Sequence, residues 1–460
     1  MVTVTDELTR REFLKTAAAA SVALSLAGCG GDDEEPGGQA RTGPTTTGAR
    51  QLGGELRILQ WSHFVPAYDE WFDDTYVREW GEANGVRVIV DHVAVADIGP
   101  RAAAEVAAQS GHDLFGFLSP PAVYEDQVID HTDLIREIES RVGDYSDLGR
   151  KSTFNPKTEK YFGISDNYVP DPVVYRKDLW DQIGIEPNTW DDVLRAAPQL
   201  RELGNPIGIG MANELDSNMA LIALSMCFGS FIQDEDANVT LDSPETVEAV
   251  EFGAELFRQG MTNEIFAWDP AANNRFIESG KGSMILNAIS ATRTPEEQDP
   301  ELAANLALAP IPEGPGGRLG LEHVMGVYAI WNFARNQDAA AQFVVDLIAN
   351  YEAAFTNSKF YNFPSFPDSV PNIEEQLAND PVAEPPDKYV ILGEIAETAT
   401  HNVGHPGFSN AAIDETFSTF LIPQMFAQAA RGQMSAQESV QQIAGQVEQI
   451  FEKWRGQGKI

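Results

Sequence analysis

The chain has 460 residues, with 70 Asp and Glu against 31 Lys and Arg, so its formal net charge is −39. This length exceeds two domains of about 150 residues, and a hydrophobic fraction of 43% excludes a disordered chain. The acidic balance argues against nucleic-acid binding, and two cysteines exclude a disulfide-rich scaffold or an all-cysteine zinc site.

The N-terminal segment has the features of an export signal. The pair Arg10 and Arg11 precedes a short apolar run that cannot span a bilayer. The run ends in the letters LAGC, which resemble the lipobox of bacterial lipoproteins, where the cysteine is lipidated. We predict a twin-arginine lipoprotein signal peptide over residues 1–28, lipidation of Cys29, and a flexible tether over residues 29–52.

The mature chain has no other apolar run of about 18 residues, so we expect an anchored protein that does not cross the membrane. Its predicted location is extracytoplasmic, on the outer face of the cell membrane or in the periplasm. Lipidation of Cys29 leaves Cys227 as a free cysteine, which its apolar neighbours identify as a small core residue.

Strands and helices alternate in the next part of the chain. Strands are predicted at residues 55–61, 86–93 and 113–118, and helices over residues 67–82 and 98–109. This βαβαβ order is typical of a parallel sheet that is covered on both faces.

A second set of elements follows. Thr189 and Ser243 are predicted helix N-caps, and Ser435 opens a capping box with Glu438. Further strands are predicted at residues 206–210, 283–287 and 324–331. About 400 residues without a Gly/Pro linker predict two lobes joined by short crossings, with a ligand cleft between them.

Four motifs, in the same order and register, carry a resemblance to a known family. They are YFGISDN with VYRKDLW (161–167 and 174–180), GIEPNTWDD (184–192), FIESGKGSMILN (276–287) and APIPEGPGG (309–317). The chain resembles the extracellular solute-binding proteins of ABC importers, in the sugar-binding class of maltose and glycerol-phosphate binders. Arg176 and Ala288 depart from the family's usual Asn and Gly, which bears on specificity more than on class.

This resemblance implies an α/β, periplasmic-binding-protein-like fold, in which two lobes joined by a hinge close on a solute and deliver it to an ABC permease. We place residues 53–164 plus 320–361 in the first lobe and residues 165–319 plus 362–460 in the second. The expected protein is a monomeric binder and not an enzyme, with no cofactor and with a carbohydrate as its solute.

Candidate ligand contacts are the polar and aromatic residues after predicted strands, because ligands of open α/β sheets bind beyond the carboxyl ends of strands. An aromatic ring can stack on the apolar face of a sugar, while amides and carboxylates bind its hydroxyls. The candidates are Trp61, His63, Asp166, Asn167, Tyr168, Glu214, Asp216, Trp268, Asn274, Asn287, Glu322 and His323. Tyr361, Asn362, Phe363 and Pro364 are a further candidate, as an aromatic rim of the cleft. The alternatives are a core position for Trp61, a turn at residues 166–168 and a helix cap near Glu214.

Other functions remain open at this stage. The segment 59–66 also resembles polyamine binders, so a polyamine or an amino acid is the alternative solute. A secreted glycoside hydrolase is an alternative of another class, although 70 acidic residues make any carboxylate pair uninformative. The chain contains no nucleophile-elbow, zinc-protease, P-loop or dinucleotide-binding motif.

No metal site is predicted. His401 and His405 have a spacing that suits metal ligation on a helix, but Gly404 and Pro406 favour a loop there. The pair formed by residues 112–113 is predicted to lie in a surface turn.

Overall fold

Two β-sheets, each beside its own hydrophobic core, organise the protein. The computed structural model describes residues 52–460. The predicted signal peptide, the Cys29 lipidation site and nearly all of the tether therefore lie outside the described residues. None of the helices within residues 52–460 is long and apolar enough to cross a membrane.

The strands are short and belong to four sheets. In chain order they are β1 (Glu55–Trp61), β2 (Arg87–Val93), β3 (Leu114–Phe117), β4 (Phe154–Asn155), β5 (Lys160–Tyr161), β6 (Ile164–Val169), β7 (Val173–Arg176), β8 (Ile207–Gly208), β9 (Met284–Leu286), β10 (Leu306–Ala309), β11 (Gly320–Leu321), β12 (Val324–Ile330), β13 (Phe363–Pro364) and β14 (Thr400–His401).

Helices surround these sheets. The α-helices are α1 (Pro66–Trp71), α2 (Arg78–Asn84), α3 (Ile98–Ala108), α4 (Thr132–Val142), α5 (Asp147–Thr153), α6 (Lys177–Ile183), α7 (Trp190–Glu202), α8 (Leu215–Cys227), α9 (Pro244–Gly260), α10 (Ala272–Glu278), α11 (Ser290–Gln298), α12 (Pro300–Ala303), α13 (Gln337–Ala349), α14 (Glu352–Asn357), α15 (Ile373–Ala378), α16 (Ile391–Thr398), α17 (Ala411–Ser418), α18 (Leu421–Ala430) and α19 (Ala436–Gly456). A π-helical segment, Phe72–Val77, joins α1 to α2, and short 3₁₀ turns lie at Val95–Asp97, Ala122–Gln127, Asn263–Ala267 and Pro367–Ser369.

The first sheet has six strands in the order β13-β6-β12-β3-β1-β2. β1 is parallel to both β2 and β3, which confirms the predicted βαβαβ unit. β12, however, is antiparallel to both β3 and β6, so the sheet is mixed and not wholly parallel. The predicted parallel unit comprised only β1, β2 and β3, so the antiparallel direction of β12 is a feature that the prediction did not address.

The second sheet has four strands in the order β10-β7-β9-β8. β7 is antiparallel to β9 and β10, whereas β8 is parallel to β9. The chain enters this sheet from β6 through residues 170–172, leaves it after β10, and reaches β12 of the first sheet through β11 and residues 322–323. A separate parallel pair, β11 with β14, lies beside the second of these crossings.

Capping residues define several helix starts as predicted. The hydroxyl of Thr189 accepts from the backbone N–H of Asp192, and the Asp192 carboxylate accepts from the Thr189 backbone. Ser435 and Glu438 form the predicted capping box, and Ser243 caps α9 as predicted. Each cap satisfies backbone N–H groups that have no partner within the helix.

The two hydrophobic cores divide the chain. The first contains residues 56–169 and much of 324–399, and the second contains most buried apolar residues of 173–286 and 403–451. The lobe boundaries stay a prediction. They assign residues 362–399 to the second lobe, but the packing places Phe366, Tyr389 and Ile395 in the first core.

The predicted surface turn at His112 and Asp113 is wrong, because both side chains are buried. The Nδ1 and Nε2 atoms of His112 lie 2.6 Å from a Glu105 oxygen and 2.8 Å from an Asp91 oxygen. Asp113 accepts from three backbone N–H groups, including those of residues 57 and 335. These partners come from distant parts of the chain, which is why local sequence did not reveal them.

Candidate functional site

The carboxyl end of β1 carries two predicted site residues. Trp61 is the last residue of β1, and its ring centroid lies 4.5 Å from that of His63 and 6.4 Å from that of Tyr361. Nδ1 of His63 accepts from the Val65 N–H, so the ring proton is on Nε2, 3.2 Å from Asn362 Oδ1. Burial lowers the pKa of His63 to about 4, so the ring is neutral.

Asp166 and Asn167 lie on β6 in the same sheet. The buried Asp166 carboxylate accepts from the Tyr351 hydroxyl at 3.2 Å, and burial raises the pKa of Asp166 to about 6. Asn167 lies against Gly326 of β12, where a Cβ atom would come within 2.4 Å of the Asn167 amide. Gly326 therefore provides the space that the Asn167 side chain occupies. Both positions belong to a strand and not to the turn considered as the alternative.

A small cavity brings Trp61, Asp166 and Asn167 together. It has a volume of about 10 Å³, and its other lining residues are Gln60, Tyr68, Gly116, Phe117, Gly326, Val327, Tyr328 and Asn362. A cavity of this size holds about one water molecule. A solute can reach these side chains only if the surrounding groups move apart.

A buried ionic triad lies where the chain crosses between the sheets. His323 Nδ1 is 3.2 Å from Asp171 Oδ1, and His323 Nε2 is 3.5 Å from Asp216 Oδ1. Burial alone would lower the pKa of His323, but the charges of Asp216 and Asp171 raise it to about 10. The imidazole is therefore positively charged at neutral pH and compensates one of the two carboxylates.

Tyr361 connects the triad to the aromatic residues of the first sheet. Its ring contacts His63 edge-on, with centroids 4.9 Å apart, and it is fully buried. Burial and the nearby charges of Asp216 and Asp171 raise the pKa of Tyr361 well above its usual value. The Tyr361 hydroxyl forms no hydrogen bond with any described residue.

Amide side chains extend this polar region along α10. Asn273 donates to Asp216 Oδ2 at 2.6 Å. Asn274 donates to the Ser290 hydroxyl at 3.1 Å and accepts from Asn287 Nδ2. The predicted residues Asp216, Asn274 and Asn287 therefore lie in one region, which also contains His323.

Glu214 and Trp268 have local structural roles. Glu214 is the N-cap of α8 and accepts from the backbone N–H groups of Asp216 and Ser217 at 2.7 and 2.6 Å. Burial, with the charge of Asp216, raises the pKa of Glu214 to about 8. The Trp268 indole packs over Gly210, where a Cβ atom would lie 3.2 Å from the ring. A helix cap therefore lies here, as in the alternative, but Glu214 forms it and not the expected Ser or Asn.

Glu322 and Tyr168 contact other parts of the crossing region. Glu322 is buried and accepts from the Val403 N–H at 3.2 Å, and burial raises its pKa well above the usual range. The Tyr168 ring packs against Phe363, with centroids 6.1 Å apart. Within residues 52–460, no hydrogen bond or ion pair is recorded between either side chain and the His323 triad.

Sequence reasoning missed several residues of this region. Asp171 is the most important, and Tyr68, Tyr328 and Tyr351 are the others. Asp171 stands between two prolines in the crossing from β6 to β7. An acidic side chain held in so constrained a crossing was the available signal. The three tyrosines had no local signal, because their partners come from distant strands and helices.

A larger groove lies on the second core. Its volume is about 970 Å³, and its lining includes Trp190, Phe252, Glu248 and Glu251. It contains none of the predicted site residues. Within residues 52–460, no group of three or more His, Cys, Asp or Glu side chains could hold a metal ion.

Comparison with known proteins identifies related sequences. A family model described as bacterial extracellular solute-binding protein matches residues 61–354. An arabinooligosaccharide-binding protein of Halalkalibacterium halodurans is 24% identical over 162 residues, which are 34% of this chain and 36% of that protein. The chain thus aligns with just over a third of this relative's length.

Solved structures share the fold. A sugar transporter protein from Arthrobacter chlorophenolicus with bound laminaribiose has a TM-score of 0.74 and 16% identity, over 86% of this chain and 99% of that one. An ABC transporter solute-binding protein from Thermotoga lettingae, bound with α-D-tagatose, has a TM-score of 0.72 and 14% identity, over 87% and 100%. These likenesses confirm the predicted periplasmic-binding-protein-like α/β fold.

The matched family consists of solute-binding proteins and not of enzymes, in agreement with the predicted role of a solute binder. The match over residues 61–354 covers more than half of the sequence, and the chain therefore belongs to the bacterial extracellular solute-binding proteins.

Proposed function

We propose that this protein captures a carbohydrate in a cleft between its two sheets and delivers it to the transmembrane subunits of an ABC importer. The observation that carries the proposal is the edge-on contact of the Tyr361 ring with His63, at a position where the charges of Asp216 and Asp171 also act on the Tyr361 hydroxyl. It places aromatic rings beside buried hydrogen-bonding groups. A saccharide needs this combination, because it has apolar C–H faces and polar edges.

The names and ligands of the similar proteins support a sugar as the solute. One relative is an arabinooligosaccharide-binding protein, and the two structural neighbours hold laminaribiose and α-D-tagatose. Binding experiments identify the particular sugar.

Capture by hinge closure is the mechanism that we propose. The candidate contacts come from both sheets, with Trp61 and Asp166 on the first and Asn287 directly after β9 of the second. A solute that contacts both sides stabilises the closed arrangement more than the open one. The permease would then recognise the closed, loaded form.

Membrane attachment through Cys29 completes the proposal. A lipid on Cys29 would hold the protein at the outer face of the membrane, and the following Gly-, Pro- and Thr-containing segment would act as a tether. The protein would work as a monomer beside its permease.

A polyamine or another amine is the second candidate solute. The carboxylates of Asp171 and Asp216 near the Tyr361 ring could bind an ammonium group. His323 already compensates one of these charges, which favours a neutral solute over a polycation.

A thermal-shift screen tests the proposal. The purified mature protein is melted with neutral sugars, polyamines and amino acids, and chromogenic glycosides are assayed for turnover. A ligand at a concentration of 100 times its Kd should stabilise the fold by about 2.7 kcal/mol. Stabilisation by a sugar without turnover supports the proposal, whereas stabilisation by polyamines alone, or glycoside hydrolysis, contradicts it.

A further inference from the structure

The buried carboxylates of the crossing region have unused hydrogen-bonding capacity. Apart from the ion pairs with His323, both oxygens of Asp171 and Oδ1 of Asp216 receive no hydrogen bond from any described residue. Both residues are at most 6% exposed, so bulk water does not compensate them. A buried acceptor without a donor is costly, and native proteins rarely leave one without a reason.

Tyr361 provides a second, independent observation. Its hydroxyl is fully buried, has no hydrogen-bond partner among the described residues, and lies near both carboxylates. A hydroxyl 2.7 to 3 Å from a carboxylate would ordinarily bond to it directly. The Tyr361 hydroxyl and the three carboxylate oxygens are therefore buried polar atoms without hydrogen-bond partners, on residues that interact electrostatically, and a further group could satisfy them.

The charges of this region restrict that group. Two carboxylates oppose one imidazolium, which leaves an excess of negative charge in a buried environment. The free atoms are mainly acceptors, and Asn273 already occupies the other oxygen of Asp216. A carboxylate or phosphate on the solute would meet acceptors and like charge, whereas sugar hydroxyls would donate to these oxygens.

We propose that Asp171, Asp216 and Tyr361 form the specificity-determining subsite, which binds hydroxyls of a neutral saccharide and excludes anionic sugars. His323 holds the two carboxylates in place and acts as a positioning residue. This inference rests on the proposed carbohydrate-binding function and adds to it the residues that select the solute.

Matched pairs of sugars test the selectivity directly. Titration calorimetry compares glucose with glucuronate, galactose with galacturonate, maltose with maltobionate, and laminaribiose with its aldonate; spermidine serves as the amine probe. Within whichever pair the protein binds, we expect the affinity for the anionic sugar to be about tenfold or more below that for the neutral sugar. This measurement uses the unmodified protein and does not depend on the folding of any variant.

Variants then assign the selectivity to residues. Asp171→Asn and Asp216→Asn should each weaken binding of the neutral sugar about tenfold or more, because an amide replaces a charged acceptor. The affinity for the anionic sugar should fall less, because each variant also removes the repulsion between the replaced carboxylate and the sugar's own negative charge. Asp113→Asn is the matched control, because Asp113 is also buried but lies directly before the amino end of β3, whereas Trp61 lies at the carboxyl end of the neighbouring strand β1.

The outcomes separate the two proposals. The inference is overturned if a neutral sugar and its anionic partner bind equally well, or if affinity and selectivity are unchanged in both Asp171→Asn and Asp216→Asn. Either result leaves the proposed carbohydrate binding intact. Binding of spermidine alone, or of none of the sugars, overturns the proposed function and the inference together. The inference is supported if the preference for the neutral sugar falls in both Asp171→Asn and Asp216→Asn but not in Asp113→Asn.

Discussion

Nδ1 of His323 lies 3.2 Å from Oδ1 of Asp171, and each residue stands on a different crossing between the two sheets. This ion pair joins the segment before β7 to the segment before β12. A change in the angle between the sheets would act on both segments, so the pair lies where solute contact and movement of the sheets can be coupled.

The ionisation of His323 should make stability depend on alkaline pH. Its folded-state pKa is about 10 against an ordinary 6.5, so its stabilising contribution is complete below 6.5 and is lost as pH rises through 10. Ionisation of the Glu214 carboxyl, whose pKa is about 8, also lowers stability as pH rises, but it does so at lower pH than loss of the His323 proton. We expect the melting temperature to fall between pH 8 and 10, and calorimetry of His323→Gln should show a smaller fall. An equal fall in the variant would contradict the assignment.

Trp61 should matter more for binding than for folding when it is replaced by a smaller aromatic residue. Trp61→Phe keeps a ring beside His63 but reduces the stacking surface, so solute affinity should fall by about 1 kcal/mol. Trp190→Phe is the control, because Trp190 is buried in the second core, where the change should lower stability without altering affinity. Calorimetric titration and thermal melting of both variants separate the two effects.

A buried ionic network on α11 should contribute strongly to stability. Arg293 is 4% exposed, lies 2.7 Å from an Asp380 oxygen, and packs 3.8 Å from the centroid of Tyr389. Arg293→Met should destabilise the fold by about 3 to 5 kcal/mol, because it leaves the buried Asp380 carboxylate uncompensated. Arg136→Met removes an exposed ion pair and should change stability by less than about 1 kcal/mol. Urea denaturation compares the two, and equal losses would argue against the network.

The capping box of α19 gives a smaller and more local prediction. Ser435→Ala removes the hydroxyl that accepts from the Glu438 N–H at 3.2 Å, and should cost about 1 kcal/mol. Ser140→Ala removes a serine hydroxyl within α4 that bonds to a carbonyl, and should have little effect. Chemical denaturation measures both changes; a loss in Ser140→Ala as large as that in Ser435→Ala would show that the cap has no special role.

Lipidation should depend on Cys29 alone. Cys29→Ser should abolish incorporation of labelled palmitate and release the protein from the membrane fraction, because the thiol is the attachment atom. Cys227→Ser should keep the label, since this cysteine is buried in the second core. Continued labelling of Cys29→Ser would refute the lipoprotein assignment.

Local sequence patterns were sufficient to predict several secondary-structure elements and the protein family. β1 has the predicted bounds of residues 55–61, because its buried residues, Leu56 and residues 58–61, follow one another closely in the sequence. The capping boxes at Thr189 and Ser435 were also predictable, since all of their atoms lie within four residues. The resemblance to solute-binding proteins depended in the same way on short motifs in a fixed order.

The assembly of the site could not be obtained from such patterns. His323 was a candidate from sequence, but its partners Asp171 and Asp216 lie more than 100 residues earlier in the chain, and nothing in the local sequence connects them. Residue 112 likewise became buried through partners at 91 and 105. Composition and local order therefore established the class of protein, six of the fourteen strands within residues 52–460, and the capped starts of three helices. The pairing of buried charges, and hence the selectivity that we propose, depends on which distant segments the folded chain brings within a few ångströms of each other.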